Sequence, residues 1–240
     1  MLQLIIYLAY SAVLLVASFM YLAYRYPAKV EEKEEEENKE EEKKEEEKKE
    51  SFWKKNIKVL IATVVALAAL LVITAPYVYK NDFDHLMTPM RWVTIYWGTF
   101  LCAVVDIREK KIPNKIVAAL FLILLVFIII NLFQDFSMWK SILGVTALGA
   151  LIGGGIMFVA MVISRKGVGM GDVKMYLAIG AYVGSREIIN TMFFAIFSAA
   201  IAGAVLLLTR KASLKDSVPM APFAFFGVAA VFLLRVRGLM

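Results

Sequence analysis

The sequence predicts an all-α membrane protein, a polytopic bundle of about eight transmembrane helices with a charged cytosolic Glu/Lys segment. Two observations lead to this fold class. The 240 residues are 60% hydrophobic, with a mean hydropathy of +0.69. Apolar runs also recur at close to the ~20 residues that a helix needs to cross a bilayer.

The first apolar run, residues 2–24, ends at Arg25 and Pro27. It begins without a basic stretch and lacks a small-residue cleavage site, so we expect a retained span rather than a signal peptide. Residues 31–50 follow as Glu and Lys except for Asn38, with thirteen Glu against six Lys, which gives a charge of −7. This segment is too polar to bury a core. We expect a spacer, with docking of a basic partner as the alternative.

Seven further apolar runs predict seven more spans, separated by short polar or basic loops. The third run ends at Asp106, and Pro113 disfavours helix at the residue before it, so residues 106–115 should form a tight turn. The sixth run is short and contains Gly180. The expected domains are an N-terminal helix at 1–27, a cytosolic segment at 28–56 and a membrane-embedded domain at 57–240. The later spans are expected at residues 57–79, 90–105, 116–133, 141–163, 173–183, 188–208 and 219–234.

The distribution of basic residues predicts the orientation. The loops at 106–115, 164–174 and 209–218 contain ten Lys and Arg residues, and the opposite loops and ends contain six. By the positive-inside rule the first group is cytoplasmic and both termini face outward, in a multi-pass protein of the cytoplasmic (inner) membrane. Because the basic excess belongs to these loops, we expect no nucleic-acid partner.

Only two acids lie where a cytosolic turn meets a span. Outside residues 31–50 the chain has eight Asp and Glu residues, and the predicted topology leaves Asp106 and Asp172 as the pair on one face. Two neighbouring carboxylates share a proton, so one acts as base and the other as acid on a peptide carbonyl. If Asp172 caps its helix, the helix amides favour its charged form, which makes Asp172 the expected base and Asp106 the expected acid.

The chain offers little for other chemistries. One cysteine, Cys102, and one histidine, His85, exclude an internal disulfide and a Cys/His zinc cage built by one chain. The expected site therefore has no metal.

A glycine-rich segment, GVGMGDVK at residues 167–174, precedes the sixth span. Gly167, Gly169 and Gly171 permit positive φ angles and allow another chain to lie close to the backbone, as a protease needs where it holds an extended substrate. The alternative is a flexible turn in which Asp172 caps a helix that begins at Val173.

Three segments in this order resemble the successive signatures of type IV prepilin peptidases, the intramembrane aspartic proteases of the GxGD kind: DIREKKIPN at 106–114, GVGMGDVK at 167–174 and VPMAPF at 218–223. The resemblance covers roughly residues 95–230. It implies that Asp106 and Asp172 are catalytic and that the substrate is the short basic leader of a prepilin or pseudopilin, cut on the cytosolic side. The residues expected to shape the site or bind substrate are Gly167, Gly169, Gly171, Lys174, Pro113, Asn114, Pro219 and Pro222.

The resemblance weakens toward the N-terminus. In bacterial members that also methylate the new N-terminus, a cytosolic domain often carries a cysteine-lined zinc site, and here the Glu/Lys segment stands in its place. Proteolysis needs no cofactor, and S-adenosylmethionine would be required only if methylation is retained. The expected partners are the prepilin substrate, the lipid bilayer and, as a candidate assembly, a second copy of the chain in a homodimer.

Two other readings of the acid pair stay open. A proton- or cation-coupled transporter can also use paired acids at broken helices. The positions near one face and the lack of an inverted repeat argue against that reading. A catalytically idle scaffold for pilus assembly predicts that Asp106→Asn and Asp172→Asn leave function unchanged.

Overall fold

The computed structural model describes residues 2–25, 87–134, 136–164, 168–209 and 219–237, and within these residues the chain is helical with no strand. The predicted all-α class is therefore confirmed for the part described. The chain forms two compact units, residues 1–79 and residues 80–240. The expected second span at 57–79 and the Glu/Lys segment lie outside the described residues.

The described part of the first unit is one helix, α1, Leu2–Arg25. It confirms a helix at the first predicted span. The Ser11 and Ser18 hydroxyls donate hydrogen bonds to the carbonyls of Tyr7 and Leu14, at 2.9 and 2.6 Å. Such bonds satisfy a hydroxyl within its own helix, which lets an apolar helix carry serine.

The second unit contains six α-helices and one short 3₁₀ turn among the described residues. Seven α-helices are thus described in all, and the expected count of eight stays a prediction because residues 57–79 lie outside them. The helices are α2 Met87–Glu109, α3 Asn114–Gln134, the 3₁₀ turn Phe136–Met138, α4 Trp139–Ser164, α5 Met170–Val183, α6 Glu187–Leu208 and α7 Ala221–Val236.

Three described helices are long and apolar enough to cross a membrane: α3, α4 and residues Glu187–Leu206 of α6. Their outward faces carry large exposed apolar side chains such as Leu125, Leu151 and Phe193. In water such faces would be unstable, whereas lipid is a suitable environment for them. This pattern agrees with a membrane protein.

The buried core lies mainly on α2, α5 and α7. Its fully buried side chains include Trp97 on α2, Ile179 on α5 and Val228 on α7. The α4–α5 pair packs backbone to backbone, because a Cβ on Gly180 would overlap the Gly149 carbonyl oxygen. Small residues permit such close helix packing, and Gly149 in the fifth apolar run provides one here.

Two helix ends differ from the sequence prediction, and both concern the acid pair. Helix α2 continues through Glu109, so the turn expected at 106–115 shrinks to residues 110–113, and Asp106 lies in the last helical turn. Helix α5 begins at Met170 rather than Val173. The capping position is Gly169, which has an extended backbone (φ −88°, ψ 156°).

Candidate active site

Asp106 is buried in the last turn of α2, with 5% of its surface exposed. Its carboxylate oxygen Oδ2 accepts a hydrogen bond of 3.0 Å from the Ala221 backbone N–H, at the first residue of α7. The two residues are 115 positions apart in the chain. Burial of a carboxylate is costly unless it is hydrogen-bonded, and this amide provides such a bond.

Asp172 is the third residue of α5 and is partly exposed. Its Oδ2 accepts a hydrogen bond of 3.0 Å from the Gly169 N–H, and its own N–H donates to the Gly169 carbonyl at 3.1 Å. Asp172 is therefore not the N-cap of a helix starting at Val173, and that expectation was wrong. The carboxylate instead turns back across the first helical turn and fixes the loop before it.

The charge of Asp106 acts on Asp172. Burial raises the pKa of Asp172 above its ordinary value, and the negative charge of Asp106 raises it further. The hydrogen bond from Gly169 opposes both effects without cancelling them. The raised pKa extends the pH range in which Asp172 keeps its proton, and this is the direction that sharing of a proton in a carboxylate pair requires.

Two contacts join the start of α5 to the turn after α2. A Cβ added at Gly171 would lie 3.1 Å from the Ile112 Cβ, which is tighter than most Cβ contacts, so a side chain there would push these segments apart by a few tenths of an ångström. Beside it, Lys174 Nζ lies 3.4 Å from Asn114 Oδ1. Both contacts place the start of α5, which bears Asp172, next to the turn that follows Asp106 and the end of α2.

The prolines predicted to shape the site start two helices. Pro113 is buried, and its carbonyl accepts the amides of Ile116 and Val117 in the first turn of α3. Pro222 is the second residue of α7, where a missing N–H leaves no intrahelical bond unmade. Pro219 directly precedes the α7 cap residue and is partly exposed.

The described glycines before and at the start of α5 allow a close approach but do not take positive φ angles. Neither Gly169 nor Gly171 has a positive φ angle; the described glycine that does is Gly184, at 85°. Gly169 begins a helix and Gly171 allows a close approach, so the positive-φ expectation was wrong for these two. Gly167 lies outside the described residues.

Ala221 belongs to the site and was not predicted. It contributes only a backbone N–H, so its residue type carries no chemical signal. The one available indication was its place between Pro219 and Pro222 in the third signature. Among the described residues, no three His, Cys, Asp or Glu side chains come together as a metal site. The expectation of a metal-free site stays a prediction.

Comparison with known proteins finds relatives for the middle of the chain. Residues 93–208, which include both aspartates, match the type IV leader peptidase family. The chain is 30% identical over 136 residues to the prepilin leader peptidase/N-methyltransferase of Bacillus subtilis (strain 168), covering 55% of this chain and 51% of that protein. It is 24% identical over 129 residues to the protein of the same name from Stutzerimonas stutzeri, covering 53% and 43%.

The chain therefore spans about half the length of the curated relatives that it matches. No solved structure gives a significant match.

Proposed function

We propose that the chain, whose residues 93–208 match the type IV leader peptidase family, is an aspartic endopeptidase of that family. Its substrate would be the short basic leader of a prepilin or pseudopilin. Both relatives are named prepilin leader peptidases, which supports this substrate class. The chemistry is supported by the positions of Asp106 in the last turn of α2 and Asp172 in the first turn of α5, and by the Asp106 charge, which raises the pKa of Asp172.

The two carboxyls have different surroundings, which suggests different roles. Asp106, held by the Ala221 amide, is the proposed base and takes a proton from the attacking water. Asp172, whose pKa is raised by burial and by the charge of Asp106, is the proposed acid and gives its proton to the oxygen of the scissile carbonyl. This reverses the expected roles, since the argument for Asp172 as base assumed a helix-capping carboxylate.

The reaction then proceeds without a cofactor. Water oxygen bonds to the carbonyl carbon and gives a neutral gem-diol, while Asp106 becomes protonated and Asp172 ionised. Collapse breaks the C–N bond as the Asp106 proton moves to the leaving amine and a diol proton returns to Asp172. The pair ends in its starting protonation state, as a catalytic cycle requires.

Methyl transfer is not part of this proposal. Both relatives' names include an N-methyltransferase activity, which belongs to those proteins. That cofactor would matter only for a second activity, and proteolysis by the carboxyl pair does not need it.

We propose that the aspartate-bearing helix ends face the cytosol. The exposed cations Lys110, Lys111, Lys115 and Lys174 surround these ends, as expected for cytoplasmic loops. A cysteine placed at Lys111 in a Cys102→Ala background should react with a membrane-impermeant maleimide only after the cells are opened. Labelling in intact cells would contradict the proposed orientation.

The transporter alternative is not favoured. Asp106 lies in the last turn of α2 and Asp172 in the first turn of α5, and both are near helix ends rather than at mid-helix. Ion sites of transporters typically lie near the bilayer midplane.

The deciding experiment is leader cleavage, followed by gel shift, on a panel of prepilins by detergent-purified protein. Asp106→Asn and Asp172→Asn should each lower kcat by about 10²–10⁴-fold, the usual contribution of a general acid or base. Glu109→Gln is the matched control, because it removes another acid from the last turn of α2 and leaves both aspartates in place. Equal cleavage by all variants would refute the aspartic mechanism, and no cleavage of any prepilin by wild type would contradict the substrate class.

A further inference from the structure

The first turn of α7 has one backbone amide available for Asp106. The early N–H groups of a helix have no partner within it. Phe223 and Ala224 donate to the Met220 carbonyl at 3.2 and 3.1 Å, and Pro222 has no N–H. The remaining amide, that of Ala221, donates to Asp106 Oδ2 within a buried contact.

Aromatic contacts fix the position of α7 along α2. The Phe225 ring lies 4.9 Å from Tyr96 and 5.5 Å from Phe100, centroid to centroid. Further along, Phe232 stacks on Trp92 at 5.5 Å. The α2 residues fall in number as the α7 residues rise, so the helices run antiparallel and the start of α7 meets the end of α2.

The neighbouring helix restrains α7 from another side. A Cβ added at Gly227 would overlap the Thr191 carbonyl of α6. Helix α7 is thereby held by two neighbours, and the Ala221 amide has little freedom to move away from Asp106.

From these contacts we propose that α7 is the positioning element of the catalytic pair. Its first amide holds Asp106 Oδ2 and leaves Oδ1 for proton transfer with water, and the Phe225 contacts set the register that brings the amide there. Ala221 and Phe225 are positioning residues, since they act through Asp106. The inference rests on the proposed peptidase function and extends it to a helix that supplies neither aspartate.

The first test compares Ala221→Pro, which removes the N–H, with Ala221→Gly, which keeps it. Proline is well tolerated at the first position of a helix. We expect Ala221→Pro to lower kcat by about 10²-fold, as misplacement of a catalytic group does, with KM within about twofold. Losing a hydrogen bond to a charged carboxylate should also move the acidic limb of the pH–rate profile upward by about one pH unit. A variant that is only partly folded would lose amplitude without moving the limb.

A second test covers the case in which Ala221→Pro does not fold, because Met220 has φ −89° and ψ −28°, a conformation that a following proline disfavours. Phe225→Leu removes the ring contacts and leaves the amide intact. Its matched control is Phe226→Leu, since Phe226 is the next residue of the same helix and is 52% exposed. We expect about tenfold lower kcat and a smaller upward shift of the acidic limb for Phe225→Leu alone.

Each outcome decides the inference. An unshifted profile and equal kcat for Ala221→Pro and Ala221→Gly would overturn the role of the amide. Equal behaviour of Phe225→Leu and Phe226→Leu would overturn the role of the register.

Failure of the peptidase function would be visible separately, as absence of cleavage by wild type. The hydrogen bond can then be tested by NMR of ¹³C-labelled aspartate carboxyls at one fixed pH, with the Asp106 signal assigned through Asp106→Asn. The Asp106 carboxyl chemical shift should move in Phe225→Leu and stay at its wild-type value in Phe226→Leu, and identical shifts in the two variants would refute the inference.

Discussion

A single methyl group added at Gly171 should separate the two aspartate-bearing segments. Gly171→Ala places a Cβ 3.1 Å from the Ile112 Cβ, whereas carbon atoms in good contact lie about 3.5–4.0 Å apart. The start of α5 and the turn after α2 must therefore move apart by roughly 0.4 Å or more. The displacement acts directly on residue 172, which follows Gly171 in the chain.

The expected loss follows from this displacement. A misplacement of about 1 Å at a catalytic centre costs on the order of 10²-fold in rate, so about 0.4 Å should lower kcat roughly sixfold. Gly171→Val, whose branches reach farther toward Ile112, should lower kcat by more than about 10²-fold. Helix propensity works in the other direction, because Ala in place of Gly favours a helix by up to about 1 kcal/mol.

The assay is prepilin cleavage with kcat and KM measured separately, alongside thermal unfolding in detergent. Gly155→Ala is the matched control, because a Cβ at Gly155 meets nothing within 4 Å. Activity should fall in the series Gly155→Ala, Gly171→Ala, Gly171→Val. If Gly171→Ala keeps the kcat of Gly155→Ala, the close contact with Ile112 does not set the geometry of the pair.

Four further predictions concern individual side chains. The negative charge of Asp106 raises the pKa of Asp172, so Asp106→Asn should lower that pKa in an NMR carboxyl titration; an unchanged value would show that the two groups are not coupled. In wild type, because the pKa of Asp172 is raised, the folded protein keeps the Asp172 proton at pH values above the ordinary aspartate pKa of 3.8. The stability from this group, and cleavage that needs neutral Asp172, should therefore both decline as pH rises through the raised value. Lys174→Gln and Asn114→Ala should each change kcat by less than about fivefold, with a coupling energy below about 1 kcal/mol in a double-mutant cycle, since their 3.4 Å contact is exposed. Cys102 is fully buried, so Cys102→Ala should keep kcat within about twofold and the native thiol should resist alkylation until the protein unfolds; rapid labelling would contradict its burial.

The acid pair could be found from sequence because charge at the end of an apolar run is expensive. That cost makes Asp106 and Asp172 conspicuous, although 66 positions separate them (172 − 106). The existence of the helices was also predictable, because a long apolar run in lipid has few alternatives to a helix. Helix ends were harder to place. Residues 106–109 are polar enough to be read as a turn, yet they continue α2.

The part of the site that the sequence did not predict is a backbone group, the Ala221 N–H. A backbone N–H occurs at nearly every position, so nothing in the residue type of Ala221 shows that its amide meets a carboxylate. Only the packing of α7 on α2, through side chains such as Phe225, determines which amide reaches Asp106. The residue pattern of the α7 segment alone does not show how far α7 is shifted along α2.

The position of Asp106 explains why a third helix is needed beside the two that carry the acids. The C-terminal end of a helix has the negative end of the macrodipole, which disfavours a carboxylate in the last turn of α2. The N-terminal end of α7 has the positive end of its own macrodipole at the same place, and its Ala221 amide donates to Asp106. Asp172, in the first turn of α5, already lies at a favourable helix end. The two acids therefore differ in what they require, and α7 supplies the compensation for the one whose own helix works against its charge.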